Sequence, residues 1–113
     1  MKLEKVKEIL SAEILTGENN LDKEVLSACG CDLMSDVLAF VKDQALLLTG
    51  LVNSQVVRTA EMMDMKAIVF VRGKTPSEEI LSLAKEAGIV VMNTDLPLYL
   101  SCGLLYNNGL YNK

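Results

Sequence analysis

The sequence predicts an α/β fold, a mostly parallel β-sheet flanked by helices, and three observations carry that expectation. The runs "AIVFV" (67–71) and "GIVVM" (88–92) are apolar without alternation, the mark of strands buried on both faces. Segments of helical period lie between them and supply the crossovers that parallel pairing needs. The chain has 113 residues, half of them apolar, which suffices for one core, so residues 1–113 are expected to form a single domain.

Each element has its own signal. Leu3, Val6, Ile9 and Leu10 recur at three- and four-residue steps, so residues 2–11 read as an amphipathic helix. "EILTG" (13–17) follows as a strand, "ENNL" (18–21) as a turn, and "KEVLSACGC" (23–31) as an extended segment ending near Gly30. From Asp32 the period becomes helical, with Leu33, Val37, Phe40 and Val41 on the face expected to enter the core. "ALLLTG" (45–50) has strand length. Residues 54–64 place Val56, Val57, Ala60 and Met63 on one helical face, with Asn53 as the cap. In "TPSEEILSLAKEAG" (75–88), Thr75 is the expected cap, Pro76 the first helical residue, Glu78 the capping-box acid and Gly88 the stop. "IVVMNT" (89–94) is another strand, and a last helix enters through Pro97 and stops near Gly109.

Composition excludes several classes of function. The net charge is −4, and no Lys/Arg cluster interleaves with aromatics, so the footprint of a nucleic-acid binder is missing. "MKLEKVKEIL" mixes charge with apolar residues and is not a signal peptide, and no run reaches the length of a membrane span. Three cysteines without an export signal fit free thiols in a reducing compartment, and a cytoplasmic protein is expected.

The motifs that carry chemistry are mostly absent. "GKT" (73–75) ends like a phosphate loop, but that motif wants a second glycine where Ile68 stands inside a strand. No G-x-G-x-x-G and no G-x-S-x-G occurs. Histidine is lacking altogether, which removes the commonest general base and metal ligand. Cys29, Cys31 and Cys102 with an acid are the remaining route to zinc, yet C-x-C is tighter than structural zinc spacing, and small core side chains explain the cysteines better. No metal and no cofactor is therefore expected. Met62, Met63 and Met65 read as core filler, and Tyr99, Cys102 and Tyr106 as packing, within the chain or against a second subunit.

Asp32 and Asp36 stand four residues apart on one helix face, the spacing of an acid–base pair or a divalent-ion site. A plainer reading makes Asp32 the helix cap, with Ser35 three residues on. Helix starts after parallel strands gather at the carboxyl edge of the sheet, where α/β folds bind small ligands. Gly30, Asp32, Ser35, Asp36, Thr49, Gly50, Asn53, Arg72, Lys74, Thr94 and Asp95 are expected along that edge, and free N–H groups there suit an anion or nucleotide.

Three stretches together resemble the DRTGG domain family in order, spacing and length across almost the whole chain: "LDKEVLSACGCDLMSDVLAF", "ALLLTGLVNSQVVRTAEMMDMKAIVFVRG" and "SEEILSLAKEAGIVVMNTD". The most specific part is "DLMSDVL" behind Gly30, with Asn53 opening the next helix. Asp22-Lys23 stands where the family signature has Asp-Arg, and Ser27-Ala28 stands in place of its paired glycines. A ligand contact that depends on close backbone approach at that pair is thereby lost. The resemblance implies a fold similar to the amino-terminal domain of HPr kinase/phosphorylase, and more distantly to those of Mur ligases. It implies no catalysis. Domains of this family accompany phosphotransacetylase or sit between CBS domains in family II pyrophosphatases, as regulatory and dimer-forming modules.

Three functions follow as expectations. The first is a non-catalytic regulatory or sensory domain, a homodimer that binds a small metabolite or nucleotide and signals to a protein partner. The second is a structural dimerisation or interaction module without a ligand. The third is a small enzyme using Asp32, Asp36 and Cys31.

Overall fold

The structure is a computed structural model that describes residues 1–41 and 44–111. Its elements alternate: α1 (Leu3–Leu10), β1 (Glu13–Thr16), a short 3-10 turn (Glu18–Asn20), β2 (Ser27–Gly30), α2 (Met34–Phe40), β3 (Ala45–Thr49), α3 (Ser54–Met62), β4 (Ala67–Phe70), α4 (Glu78–Glu86), β5 (Val90–Asn93) and α5 (Leu98–Asn107). The strands form one sheet in the order β1-β5-β4-β3-β2. Strands β2 to β5 are mutually parallel, as the unalternated runs predict, and β1 closes the other edge antiparallel to β5.

Helices cover both faces, which is why the central strands carry no polar alternation. On one face Leu46, Leu48 and Val69 pack under Leu3, Val6 and Leu10 of α1 and Leu105 of α5. On the other, Leu47, Ile68 and Phe70 meet Met34 and Val37 of α2, Val56 and Ala60 of α3, and Ile80 and Ala84 of α4. Period-two geometry sends neighbouring residues of one strand to opposite cores, so every position of β3 and β4 is buried.

Five sequence expectations shift. The extended segment 23–31 reduces to Ser27–Gly30, with Lys2 and Glu24 forming an isolated antiparallel bridge before it. In α2 the core stripe is Met34 and Val37, while Leu33 is 57% and Phe40 74% exposed. That helix lies beside edge strand β2 and packs chiefly on α3 among the helices, so a narrow stripe is all it buries. Helix α4 is capped by Ser77, whose Oγ accepts from the Ile80 N–H at 3.3 Å, and not by Thr75. Pro76 is a buried residue ahead of the cap and not the first helical residue. Among the methionines Met65 is core and Met63 half-buried, but Met62 is exposed. Tyr99, 92% exposed, has no packing role within the chain.

Candidate functional site

The carboxyl edge of the parallel strands gathers the segments after β2, β3, β4 and β5, and with them most of the residues singled out from the sequence. Asp32 is not the cap of α2. Leu33 holds that position without a side-chain cap bond, its N–H donating instead to Cys31 Sγ at 3.3 Å. The Asp32 carboxylate turns sideways to β3, where Oδ1 accepts from Thr49 Oγ1 and from the Gly50 N–H, both at 2.8 Å. Lys74 Nζ donates to the Gly50 carbonyl at 2.8 Å, so Gly50 is gripped through both of its peptide groups. Three strand ends are thereby tied at one corner.

The electrostatics follow from that geometry. The Gly50 N–H above all holds the Asp32 carboxyl below its ordinary value; burial opposes it, and the Thr49 hydroxyl and the charges of Lys74 and Arg72 add to the lowering. An acid held ionised in this way is the opposite of a general acid poised near neutral pH. Asp36 lies on the exposed first turn of α2 and acts on the Cys29 thiol, whose pKa burial first, then Cys31, Cys102 and Asp36, push up. The two aspartates do not form an acid–base pair. The Cys102 thiol is raised by burial, so thiolate chemistry is disfavoured at both sulfurs. All three cysteines are free, and among the described residues no group of three or more His, Cys, Asp or Glu is placed to hold a metal.

Other candidates have structural duties. Thr49 Oγ1 also accepts from the Leu51 N–H at 3.1 Å, and Asn53 Oδ1 caps α3 by accepting from the Val56 N–H at 3.2 Å. Thr94 Oγ1 donates to the Leu10 carbonyl at 2.7 Å and so clamps the end of α1 to β5. Gly30 backs onto α5, where an added Cβ would collide with Cys102 Sγ. Ser35 is exposed on α2. Arg72 differs from all of these. It sits in the left-handed region at φ 60°, a costly conformation for a residue with a Cβ, and no hydrogen bond engages its guanidinium among the described residues. Gly73 follows with its own positive φ and approaches Asp95 Oδ1, which would lie 3.0 Å from a Cβ there.

Two surface features escape the sequence reading. A hollow of about 540 Å³ runs along α4, between that helix and β1 with the turn after it, and reaches the opposite, amino edge of the parallel strands at Gly88 and Ile89. An open groove of about 490 Å³ runs along α5, lined by Tyr99, Leu100, Cys102, Leu104 and Tyr106. The spacing 78, 81, 82, 85 on one face of α4 is the only signal of the hollow in the sequence, and it does not reveal what stands opposite.

Comparison with known proteins settles the family. The DRTGG domain model matches residues 5–100, most of the chain.

The chain belongs to the DRTGG domain family.

In three dimensions this DRTGG domain is similar to the CBS and DRTGG domains of the regulatory region of Clostridium perfringens pyrophosphatase, a crystal structure complexed with the activator diadenosine tetraphosphate. The TM-score is 0.74 at 20% sequence identity, with 92% of this chain covered. The chain spans 45% of the length of that neighbour. No curated protein matches it in sequence. At this identity the likeness establishes the fold, a mostly parallel sheet between two layers of helices. No helix among the described residues is long and apolar enough to cross a membrane.

Proposed function

We propose that this DRTGG domain is a non-catalytic regulatory module, a cytoplasmic homodimer that reads a small anionic metabolite or nucleotide at the carboxyl edge and signals to a protein partner. Residues 1–113 would form that module as one domain. One observation supports the reading: Arg72 is held in a strained conformation, its guanidinium engaged by no hydrogen bond among the described residues, beside a corner where Asp32 and Lys74 grip the two peptide groups of Gly50. A phosphate arriving at Arg72 competes with the Asp32 carboxylate for the Gly50 N–H and with the Gly50 carbonyl for Lys74. Loosening that tie frees the segment between β3 and the Asn53-capped start of α3, a movement that a partner can sense. The regulatory setting of the structural neighbour, whose crystal structure holds a nucleotide activator, supports a ligand of this class.

The test is a thermal-shift screen with nucleotides and acyl phosphates, since selective binding to the folded state raises apparent stability. At least one compound is expected to raise the melting temperature, and Arg72→Gln to abolish the shift. Silence across the screen leaves the second reading, a dimerisation module without a ligand. That reading draws on α5, which carries no charged residue from Leu98 to Asn107 yet leaves Tyr99, Leu100 and Tyr106 exposed. Tyr99→Asp is expected to convert a dimer to a monomer in analytical ultracentrifugation. Catalysis by Asp32 and Asp36 has the least support, because the two carboxylates serve different neighbours.

A further inference from the structure

We propose that the amino-edge hollow is a second binding site, one that takes a basic α-amino acid. The hollow encloses about 540 Å³, within the range of small-molecule pockets. Its lining is mixed: Ile89, buried, and Leu15 and Leu81, half-buried, supply an apolar strip among polar residues that include Asn19, Asn20 and Ser82. Three charged side chains stand around it: Glu18 on the turn after β1, and Glu78 and Lys85 on α4.

Among the described residues none of these three charges has an ion-pair partner. The ion pair between Lys66 and Asp64 involves none of them, and among the described residues no hydrogen bond engages any of their side chains. Acids at the start and bases at the end of a helix complement its dipole, which accounts for the positions of Glu78 and Lys85 along α4. It does not account for both facing one hollow together with Glu18.

The arrangement selects a ligand by charge and length. Two carboxylates against one ammonium give the rim a surplus of one negative charge, which a basic amino acid with its net positive charge complements. Polyphosphates are disfavoured by the same surplus, and among the described residues a bare divalent ion finds no cluster of three His, Cys, Asp or Glu side chains to hold it. Seven residues separate Glu78 from Lys85, a rise of about 10 Å along the helix. Opposite charges that far apart suit a ligand whose carboxylate and side-chain cation lie at the ends of an aliphatic stem. The ligand carboxylate therefore pairs with Lys85, its side-chain cation with Glu78 and its α-ammonium with Glu18, while the stem crosses Leu81 and Ile89. Ser82 lies between the two ends on the same helix face as a further polar contact.

This site is independent of the carboxyl-edge reading, and neither its residues nor its ligand overlap with those proposed there. Isothermal titration of the full chain with L-lysine tests it, with norleucine, which lacks the side-chain cation, and cadaverine, which lacks the carboxylate, as controls. L-lysine is expected to bind and each control to bind at least about tenfold more weakly, the loss for one charged hydrogen bond. Glu78→Gln and Lys85→Gln are each expected to weaken L-lysine about tenfold while circular dichroism stays unchanged, because both side chains are exposed and engaged by no hydrogen bond or ion pair among the described residues. Absence of heat with L-lysine, equal affinity for norleucine and cadaverine, or binding that survives both substitutions overturns the proposal.

Discussion

The two edges of the sheet are held by different means. At the carboxyl edge side chains do the holding: Asp32 and Lys74 grip Gly50, Thr49 joins them, Thr94 clamps α1, and Asn53 caps α3. At the amino edge the backbone does it. The turn after β1 closes through Gly17 at φ 88°, whose Cα hydrogens lie where a Cβ would stand 2.9 Å from Val90 Cγ2 and 3.0 Å from Val90 Cα. Polar side chains around that turn are consequently left without internal work. A structurally occupied edge resists change, and an edge secured by its backbone leaves side chains for a ligand.

That contrast can be broken first at the glycine turn. Gly17→Ala combines left-handed strain with a contact against backbone that cannot rotate away, and is expected to cost about 3 kcal/mol in urea denaturation. A loss under about 1 kcal/mol would show that the amino edge does not depend on this close approach. Gly30→Ala at the other edge is expected to cost about 2 kcal/mol, since the new Cβ meets a side-chain sulfur that can be removed. Cys102→Ala in the same chain should recover part of that loss, and strict additivity in the double-mutant cycle would contradict the collision.

Smaller effects sharpen the difference between the edges. Asp32→Ala is expected to cost about 1 kcal/mol, the loss of two hydrogen bonds at an exposed site. Because the folded-state pKa of Asp32 is lowered, its contribution is complete above the unfolded value of about 3.9 and disappears as pH falls through the lower folded value. Asp32→Asn should accordingly flatten the acid limb of the stability profile below about pH 4, and an unaltered limb would remove Asp32 from the tie. Smallest of all, Glu78→Gln and Lys85→Gln should change stability by less than about 0.5 kcal/mol. A larger destabilisation would mean that these groups serve the fold after all.

Much of the architecture was legible because it rests on local patterns. The strands "AIVFV" and "IVVM" lack alternation, and the sheet buries them from both sides. Asn53 carries a capping side chain directly ahead of a helical stripe, and it caps α3 as expected. Thr75 was misleading since a second capping residue, Ser77, stands just after Pro76, and the chain caps there. Leu33 and Phe40 have the right period for a core face, but period cannot say how wide a face the neighbouring strand offers. The antiparallel placement of β1 beside β5 has no marker either, because strand pairing is a relation between segments far apart in the chain.

The candidate site divides in the same way. The sequence by itself determined that helix starts and strand ends bearing Asp32, Thr49, Gly50, Arg72 and Lys74 would meet at one edge, because parallel strands joined by helices leave no other place for them. Only the tertiary structure decided which groups are consumed there. Asp32 gives up the cap of its own helix for Thr49 and Gly50, residues 17 and 18 positions away, and Lys74 reaches 24 positions back to the Gly50 carbonyl. The hollow at the other edge belongs wholly to tertiary structure: Glu18 meets Glu78 and Lys85 across it through the pairing of β1 with β5, and no local spacing encodes a charge balance between remote segments.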